Sequence, residues 1–152
     1  MDEPPAIINA HEDVDLFLEA LSFTSAQTGF LGRLIEKDYF CSVMLADLSA
    51  ASKDLVFKGG TCLSKVHVGF YRLSEDLDFV IPMPENAPRA ERSRRMTGLK
   101  KIFAGLPHAL KCFEIAQPLT GANDSTQYIG SVEYRSLLTG QKDTLKIEIS
   151  LR

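Results

Sequence analysis

The chain has 152 residues, of which 45% are apolar and 24% charged, and this fits one globular domain with a substantial core. Its formal net charge of −3 excludes polyanion binding by the molecule as a whole, so any nucleic-acid contact needs a local basic patch. The sequence shows no long apolar run, no signal-peptide core and no paired cysteine spacing. These absences exclude a membrane span, a disulfide framework and a structural zinc site, and they predict a cytoplasmic protein without membrane contact.

The first half of the chain predicts helices and two short strands. Apolar residues recur at helical spacing over 11–22 and again, over a longer stretch, across 30–50. The run "DLVF" (54–57) predicts a strand that stops at two glycines, and helical spacing returns over 61–72. The run "DLDFVI" (76–81) predicts a second strand, which ends at a proline-rich stretch because proline cannot continue a ladder of hydrogen bonds.

The second half predicts one helix and a group of strands. Residues 88–105 have helical spacing, 112–117 read as a strand, and 118–126 read as a polar loop. Two further strands, 128–138 and 144–152, are joined by the turn sequence "TGQKD", which predicts a hairpin. The order of elements predicts an α+β fold, in which a mixed sheet is flanked by helices.

The glycine pair Gly59-Gly60 lies where a strand ends and a helix begins. Without Cβ atoms, this turn allows a ligand to approach the backbone closely, and the free N–H groups of the helix start favour a phosphate. Thr61 adds a hydroxyl at the same point. The turn lacks the Gly-Lys-Ser/Thr ending of a P-loop, and a plain strand-to-helix turn remains the alternative interpretation.

Three acidic residues lie on predicted polar strand faces. Asp76 and Asp78 are two apart, so both project from one face of their strand, and their mutual repulsion favours a bound cation such as Mg²⁺. A solvated polar face is the alternative. Glu148 lies on the polar face of "TLKIEISLR". If that strand lies beside "DLDFVI", the three carboxylates converge next to the glycine turn, an arrangement suited to two metal ions and a triphosphate.

These segments resemble a known family. The runs "FKGGTCLSK" and "RLSEDLDFVI", together with "LIEKDYF" (34–40) in the preceding helix, are similar to the AbiEii/AbiGii toxin group. That group belongs to the polymerase-β-like nucleotidyltransferase superfamily and includes bacterial abortive-infection and toxin–antitoxin proteins. The resemblance runs from about residue 34 to 152, and it implies a nucleotidyltransferase core.

The resemblance implies a role for each matching residue. Gly59, Gly60 and Thr61 match the turn that holds the phosphates of the incoming nucleotide. Asp76 and Asp78 match the metal-binding pair. The remaining match is Glu148, which corresponds to the third metal-binding and catalytic acid, the one that readies the acceptor hydroxyl.

Lys65 is a further candidate for nucleotide binding. It lies one helical turn beyond Thr61, so its ammonium is placed to reach a phosphate. An ordinary surface lysine is the alternative.

The resemblance also implies an activity and partners. It implies a Mg²⁺-dependent enzyme that transfers the NMP unit of an NTP to an acceptor, either RNA such as tRNA or a protein, and that an antitoxin restrains. Family members are longer than this chain, so we expect residues 1–152 to be a single nucleotidyltransferase-like domain from the N-terminal part of a longer architecture. The alternatives are a non-catalytic module that binds a nucleotide or a partner, and a small-molecule adenylyltransferase of the antibiotic-modifying kind.

The predicted helix over 88–105 is rich in positive charge. It is a candidate contact for an RNA backbone, with a solvated helix face as the alternative. Its basic residues are Arg89, Arg92, Arg94, Arg95, Lys100 and Lys101. The scattered histidines and Cys62 predict structural or surface roles. The histidines are His11, His67 and His108.

Overall fold

The computed structural model describes residues 9–59 and 75–152 of the chain. The helix predicted over 61–72, with His67 and Cys62, lies outside these residues. The described elements are the helices α1 (Val14–Thr28), α2 (Gly32–Ala51), α3 (Arg89–Ala104) and α4 (Leu106–Ala109), and the strands β1 (Val56–Lys58), β2 (Asp76–Ile81), β3 (Phe113–Ala122), β4 (Gln127–Arg135) and β5 (Lys142–Leu151).

Local signals explain where the first helix begins and ends. The side chain of Asp13 accepts a hydrogen bond from the Leu16 N–H at 3.1 Å, so α1 begins at Val14 after a short 3₁₀ turn. Gly29 ends it in the left-handed conformation with φ of 76°. The helix is therefore longer than the predicted 11–22. In the described part of the chain, no helix is both long enough and apolar enough to cross a membrane.

The described strands form one mixed sheet in the order β1-β2-β5-β4-β3. Strands β2 and β5 pair in parallel, and the other neighbouring pairs are antiparallel. The predicted bounds of β2 are confirmed, as is the hairpin that joins β4 to β5. A mixed sheet with flanking helices confirms the predicted α+β fold class.

Strand β3 is longer than the strand predicted over 112–117. Strand β3 runs from Phe113 to Ala122, so most of the polar loop predicted over 118–126 is extended and paired. Pro118 is tolerated because β3 ends the sheet order, where one edge needs no partner. The register shifts between Ile115 and Thr120 accommodate it further.

The two faces of the sheet differ in chemistry. One face carries apolar side chains that are almost fully buried in a single hydrophobic cluster with side chains from α2 and α3. From β2 and β5 these are Leu77, Phe79, Ile147 and Ile149. The alternating residues of the same strands form the opposite face, which we call the open face, and on β2 and β5 they include the acidic residues singled out above.

Candidate functional site

The predicted acidic residues lie side by side on the open face. Strands β2 and β5 pair in parallel with Asp76 opposite Lys146 and Asp78 opposite Glu148. Neighbouring strands are about 4.8 Å apart, so the Asp78 and Glu148 side chains start from adjacent positions. The strand carrying Glu148 therefore does lie next to "DLDFVI", as convergence of the three acids required. We call Asp76, Asp78 and Glu148 the carboxylate cluster.

Glu148 has a partner at each of its oxygens. The Gln127 Nε2 group donates a hydrogen bond to Glu148 Oε1 at 2.6 Å, and the Lys146 Nζ atom lies 3.5 Å from Oε2. Sequence reasoning missed both partners. The signal for Lys146 was present, because it precedes Glu148 by two residues and so shares its strand face. Gln127 carries no comparable signal, since it reaches Glu148 only through the pairing of β4 with β5.

The electrostatics of Asp78 show that negative charge is concentrated here. Burial raises the pKa of Asp78 above its ordinary value, and the neighbouring Glu148 carboxylate raises it further. Lys58 opposes these effects, Asp76 adds to them, and Lys146 opposes them again. The net shift of the Asp78 pKa is upward, so the nearby lysines do not offset the combined effect of burial and the neighbouring carboxylates. A further cation at this position would stabilise the ionised carboxylates.

Lys58 is a second basic residue that the sequence analysis did not select. It lies at the end of β1, directly opposite Asp78 on β2. Its Nζ atom approaches the Ser150 Oγ atom of β5 at 3.5 Å, so the side chain crosses the open face of β2 to reach the next strand. The sequence did contain a signal for Lys58, because this lysine immediately precedes the glycine pair in "FKGG".

Gly59 lies directly against the carboxylate cluster. Its φ of 84° is in the left-handed region, where glycine is favoured. A Cβ atom built on Gly59 would lie 2.7 Å from Asp78 Oδ2 and 3.2 Å from Asp78 Cβ, so no larger residue fits without displacement of Asp78. The structure thus brings the start of the glycine turn to the acids. Gly60, Thr61 and Lys65 lie outside the described residues, and their predicted contacts with phosphate stay predictions.

The chemistry of the cluster fits a hard divalent cation. Carboxylate oxygens are the donors that Mg²⁺ prefers, and the pKa of Asp78 is raised first by burial and then by the neighbouring Glu148 carboxylate. Within residues 9–59 and 75–152, however, no three acidic, histidine or cysteine side chains are arranged as a ready metal site.

Helix α3 uses part of its positive charge within the fold. Arg92 donates from Nε and Nη2 to the Asp124 carbonyl at 3.1 and 2.6 Å, and its Nη1 donates to the Ala87 carbonyl. Arg95 lies 3.6 Å from the Asp54 carboxylate. Beside these contacts, a polar cavity of about 360 Å³ separates α3 from the loop between β3 and β4. Its lining includes Arg89, Ser93, Lys100 and Tyr128.

His11 has the structural role expected of it. Its Nδ1 atom lies 2.8 Å from the Tyr39 hydroxyl, and its ring contacts the Phe40 ring at a centroid distance of 5.7 Å. The ring therefore connects the start of α1 to α2.

Two solved structures are similar to this chain, and the first of them shares its fold. The crystal structure of JHP933 from Helicobacter pylori matches with a TM-score of 0.50 and 22% identity, over 79% of this chain and 44% of that one. A second H. pylori crystal structure, named "putative nucleotidyltransferase", matches with a TM-score of 0.42 and 23% identity, over 78% and 42% of the two chains. The chain thus spans less than half the length of either protein. No curated protein sequence matches it significantly.

A family profile covers most of the described fold. The profile of the nucleotidyl transferase AbiEii toxin, type IV toxin–antitoxin system, matches residues 43–152. This stretch contains every described strand of the sheet and every member of the carboxylate cluster. It is also well over half of the 152 residues. The chain therefore belongs to the AbiEii family of nucleotidyltransferase toxins.

Proposed function

We propose that the protein is a Mg²⁺-dependent nucleotidyltransferase that transfers the NMP unit of an NTP to an RNA acceptor such as tRNA, and that it acts as a toxin held in check by an antitoxin. The observation that carries the proposal is the placement of Asp78 opposite Glu148, with Gly59 against the Asp78 carboxylate. Family membership supplies the reaction class. The metal, the nucleotide, the acceptor and the antitoxin are parts of the proposal.

Besides Glu148, several residues in or beside the carboxylate cluster have roles in this reaction. Asp76 and Asp78 would hold the metal ion, which when bound neutralises the charge of the triphosphate and of the leaving pyrophosphate. Gly59, which lacks a Cβ, lets the Asp78 carboxylate lie against the backbone at the start of the glycine turn. Lys58 adds positive charge at the same place, because it lies opposite Asp78.

Glu148 would serve the acceptor rather than the nucleotide. In the transfer, an acceptor hydroxyl oxygen bonds to the α-phosphorus, the bond from that phosphorus to the bridging oxygen breaks, and pyrophosphate leaves. The hydroxyl must lose its proton, and Glu148 would orient that hydroxyl and draw the proton from it. Its interaction therefore matters more in the transition state than in the binding of the NTP.

The positive charge beside α3 favours an RNA acceptor over a small-molecule acceptor. The cavity beside α3 has Arg89 and Lys100 in its lining, and it borders the loop that leads into β4. An RNA backbone requires such a local patch, because the net charge of the chain is negative. A small molecule, as in antibiotic adenylylation, requires no patch of this kind.

The test measures transfer of labelled nucleotide from mixed NTPs to bulk tRNA in the presence of Mg²⁺. Glu148→Gln keeps the shape of the side chain and removes its charge. We expect transfer to fall by about 10²-fold or more, on the order of 3 kcal/mol in the barrier, while NTP affinity stays within a few-fold.

The matched control is Glu133→Gln on the neighbouring strand. Glu133 also lies on the open face but pairs with Lys142 at 3.6 Å, away from Asp78. Transfer by this variant should match the parent. A parent that binds NTP and Mg²⁺ but transfers nothing to tRNA would favour the non-catalytic module, and equal losses in both variants would contradict a specific role for Glu148.

A further inference from the structure

Gln127 contacts Glu148 diagonally across two strands. In the antiparallel β4–β5 pair, Gln127 lies opposite Ser150 and Glu148 lies opposite Ile129. Diagonal neighbours on one sheet face are within reach of long side chains. The Gln127 Nε2 group donates to Glu148 Oε1 at 2.6 Å. Glu148 is thereby held at one oxygen by a neutral donor.

The contact fixes which way the Gln127 amide faces. An ionised carboxylate only accepts hydrogen bonds, so the NH₂ group of Gln127 must point toward Glu148. Its carbonyl oxygen then faces away, and there it accepts a hydrogen bond from Asn123 Nδ2 at 3.1 Å. Asn123 therefore stabilises the one amide orientation that serves Glu148.

Asn123 belongs to an unusual turn that the fold holds in place. Three successive residues, Asn123, Asp124 and Ser125, have φ values of 49°, 53° and 61°. Such a run is disfavoured for residues with a Cβ atom and persists only where the surroundings impose it. Here Arg92 of α3 donates twice to the Asp124 carbonyl, and the Thr126 N–H and hydroxyl both donate to the Asn123 carbonyl.

We propose that Gln127, supported by Asn123, is a positioning residue for Glu148 in nucleotide transfer. The inference rests on the proposed function, because it assigns a purpose to the orientation of the proposed third acid. Gln127 binds Oε1, so Oε2 is the oxygen that would serve the acceptor, and the Lys146 ammonium lies 3.5 Å from Oε2. A 1 Å displacement of a catalytic group can cost about 10²-fold in rate, so such a support matters for turnover.

The kinetic test replaces the amide and keeps the length of the side chain. Gln127→Met should lower kcat for labelled-nucleotide transfer to bulk tRNA by about 10-fold and leave the KM for NTP within about two-fold. Asn123→Gly, which suits the positive φ, should lower kcat by about three-fold. The control is Gln117→Met, at an exposed glutamine of β3, and it should keep the parental kcat.

A second measurement does not depend on activity. The side-chain amide signal of Gln127 in a ¹H–¹⁵N spectrum, assigned by its loss in Gln127→Met, should lie downfield of an exposed glutamine. Glu148→Ala should move it to the position of the exposed Gln117 signal, while the Gln117 signal stays where it is. An amide signal that does not respond to Glu148→Ala would overturn the proposal.

The two proposals fail in different ways. If Glu148→Gln abolishes transfer and Gln127→Met leaves kcat unchanged, the positioning role is wrong and the proposed function stands. If Glu148→Gln has no effect on an active protein, the role of the third acid fails, and the positioning role fails with it. A Gln127→Met variant that raises the KM for NTP as much as it lowers kcat would also overturn the positioning role, because general damage to the site would explain it.

Discussion

The two faces of the β2–β5 strand pair are built from alternating residues of the same strands, yet they have opposite properties. On the covered face, Leu77, Phe79 and Ile147 have no exposed surface. On the open face, the Asp78 and Glu148 carboxylates lie opposite each other, and the pKa of Asp78 is raised. The covered face stabilises the fold through apolar burial. On the open face, burial and the neighbouring Glu148 carboxylate both disfavour the ionised form of Asp78, and perturbed carboxyl groups of this kind are common at functional sites.

The largest expected effect tests this division with one substitution on each face. Ile147→Ala removes a fully buried side chain and should lower the free energy of unfolding by about 2–5 kcal/mol. Ile129→Ala, on the open face opposite Glu148, removes a half-buried one and should cost about 1 kcal/mol. Urea denaturation with equal m-values measures both. Equal losses at the two positions would contradict the division between the faces.

Sequence reasoning succeeded where the information is local. The alternation in "DLDFVI" predicted both the bounds of β2 and the face on which Asp76 and Asp78 lie, because the side-chain period of a strand is two residues. The pairing of β2 with β5 was only a hypothesis, since it joins segments far apart in the chain. The Gln127–Glu148 contact was missed for the same reason, because it depends on the register of β4 against β5. The extension of β3 through Pro118 depended on the edge position of that strand.

The second prediction concerns Gly59, whose backbone lies against Asp78 on the open face. Gly59→Ala introduces a Cβ atom both at a positive φ and against Asp78 Oδ2, so we expect a loss of about 2 kcal/mol or more. Gly140→Ala is the matched control, because Gly140 has a similar φ of 72° and no atom within 4 Å of an added Cβ. It should show only the conformational cost, about 1 kcal/mol.

The difference between these two variants isolates the contact with Asp78. Thermal unfolding measures each stability, and the increase in Tm on addition of Mg²⁺ with NTP measures the site. Gly59→Ala should lose most of that increase, whereas Gly140→Ala should keep it. If both variants lose equal stability, Asp78 moves aside without cost and the close approach is unimportant.

The smallest expected effect is a gain in stability from the open face. Asp78 has a pKa above its ordinary value of 3.8, so the folded protein binds this proton more tightly than the unfolded chain does. The contribution of Asp78 to the free energy of unfolding therefore decreases as the pH rises from about 3.8 through the raised pKa. Asp78→Asn removes the penalty, and solvent screening should keep the gain at neutral pH below about 1 kcal/mol.

The pH dependence of the gain shows whether the gain comes from removing the Asp78 carboxylate. The gain in Tm for Asp78→Asn should shrink as the pH falls through the raised pKa and disappear below about 3.8, because Asp78 is then neutral in both states. The control is Asp143→Asn, since the Asp143 carboxylate lies 3.8 Å from the Lys37 ammonium and its removal should give no gain. Asp78→Asn should also abolish the increase in Tm caused by Mg²⁺ with NTP. If Asp78→Asn is stabilised and its Tm still increases fully on addition of Mg²⁺ with NTP, Asp78 does not bind the metal ion.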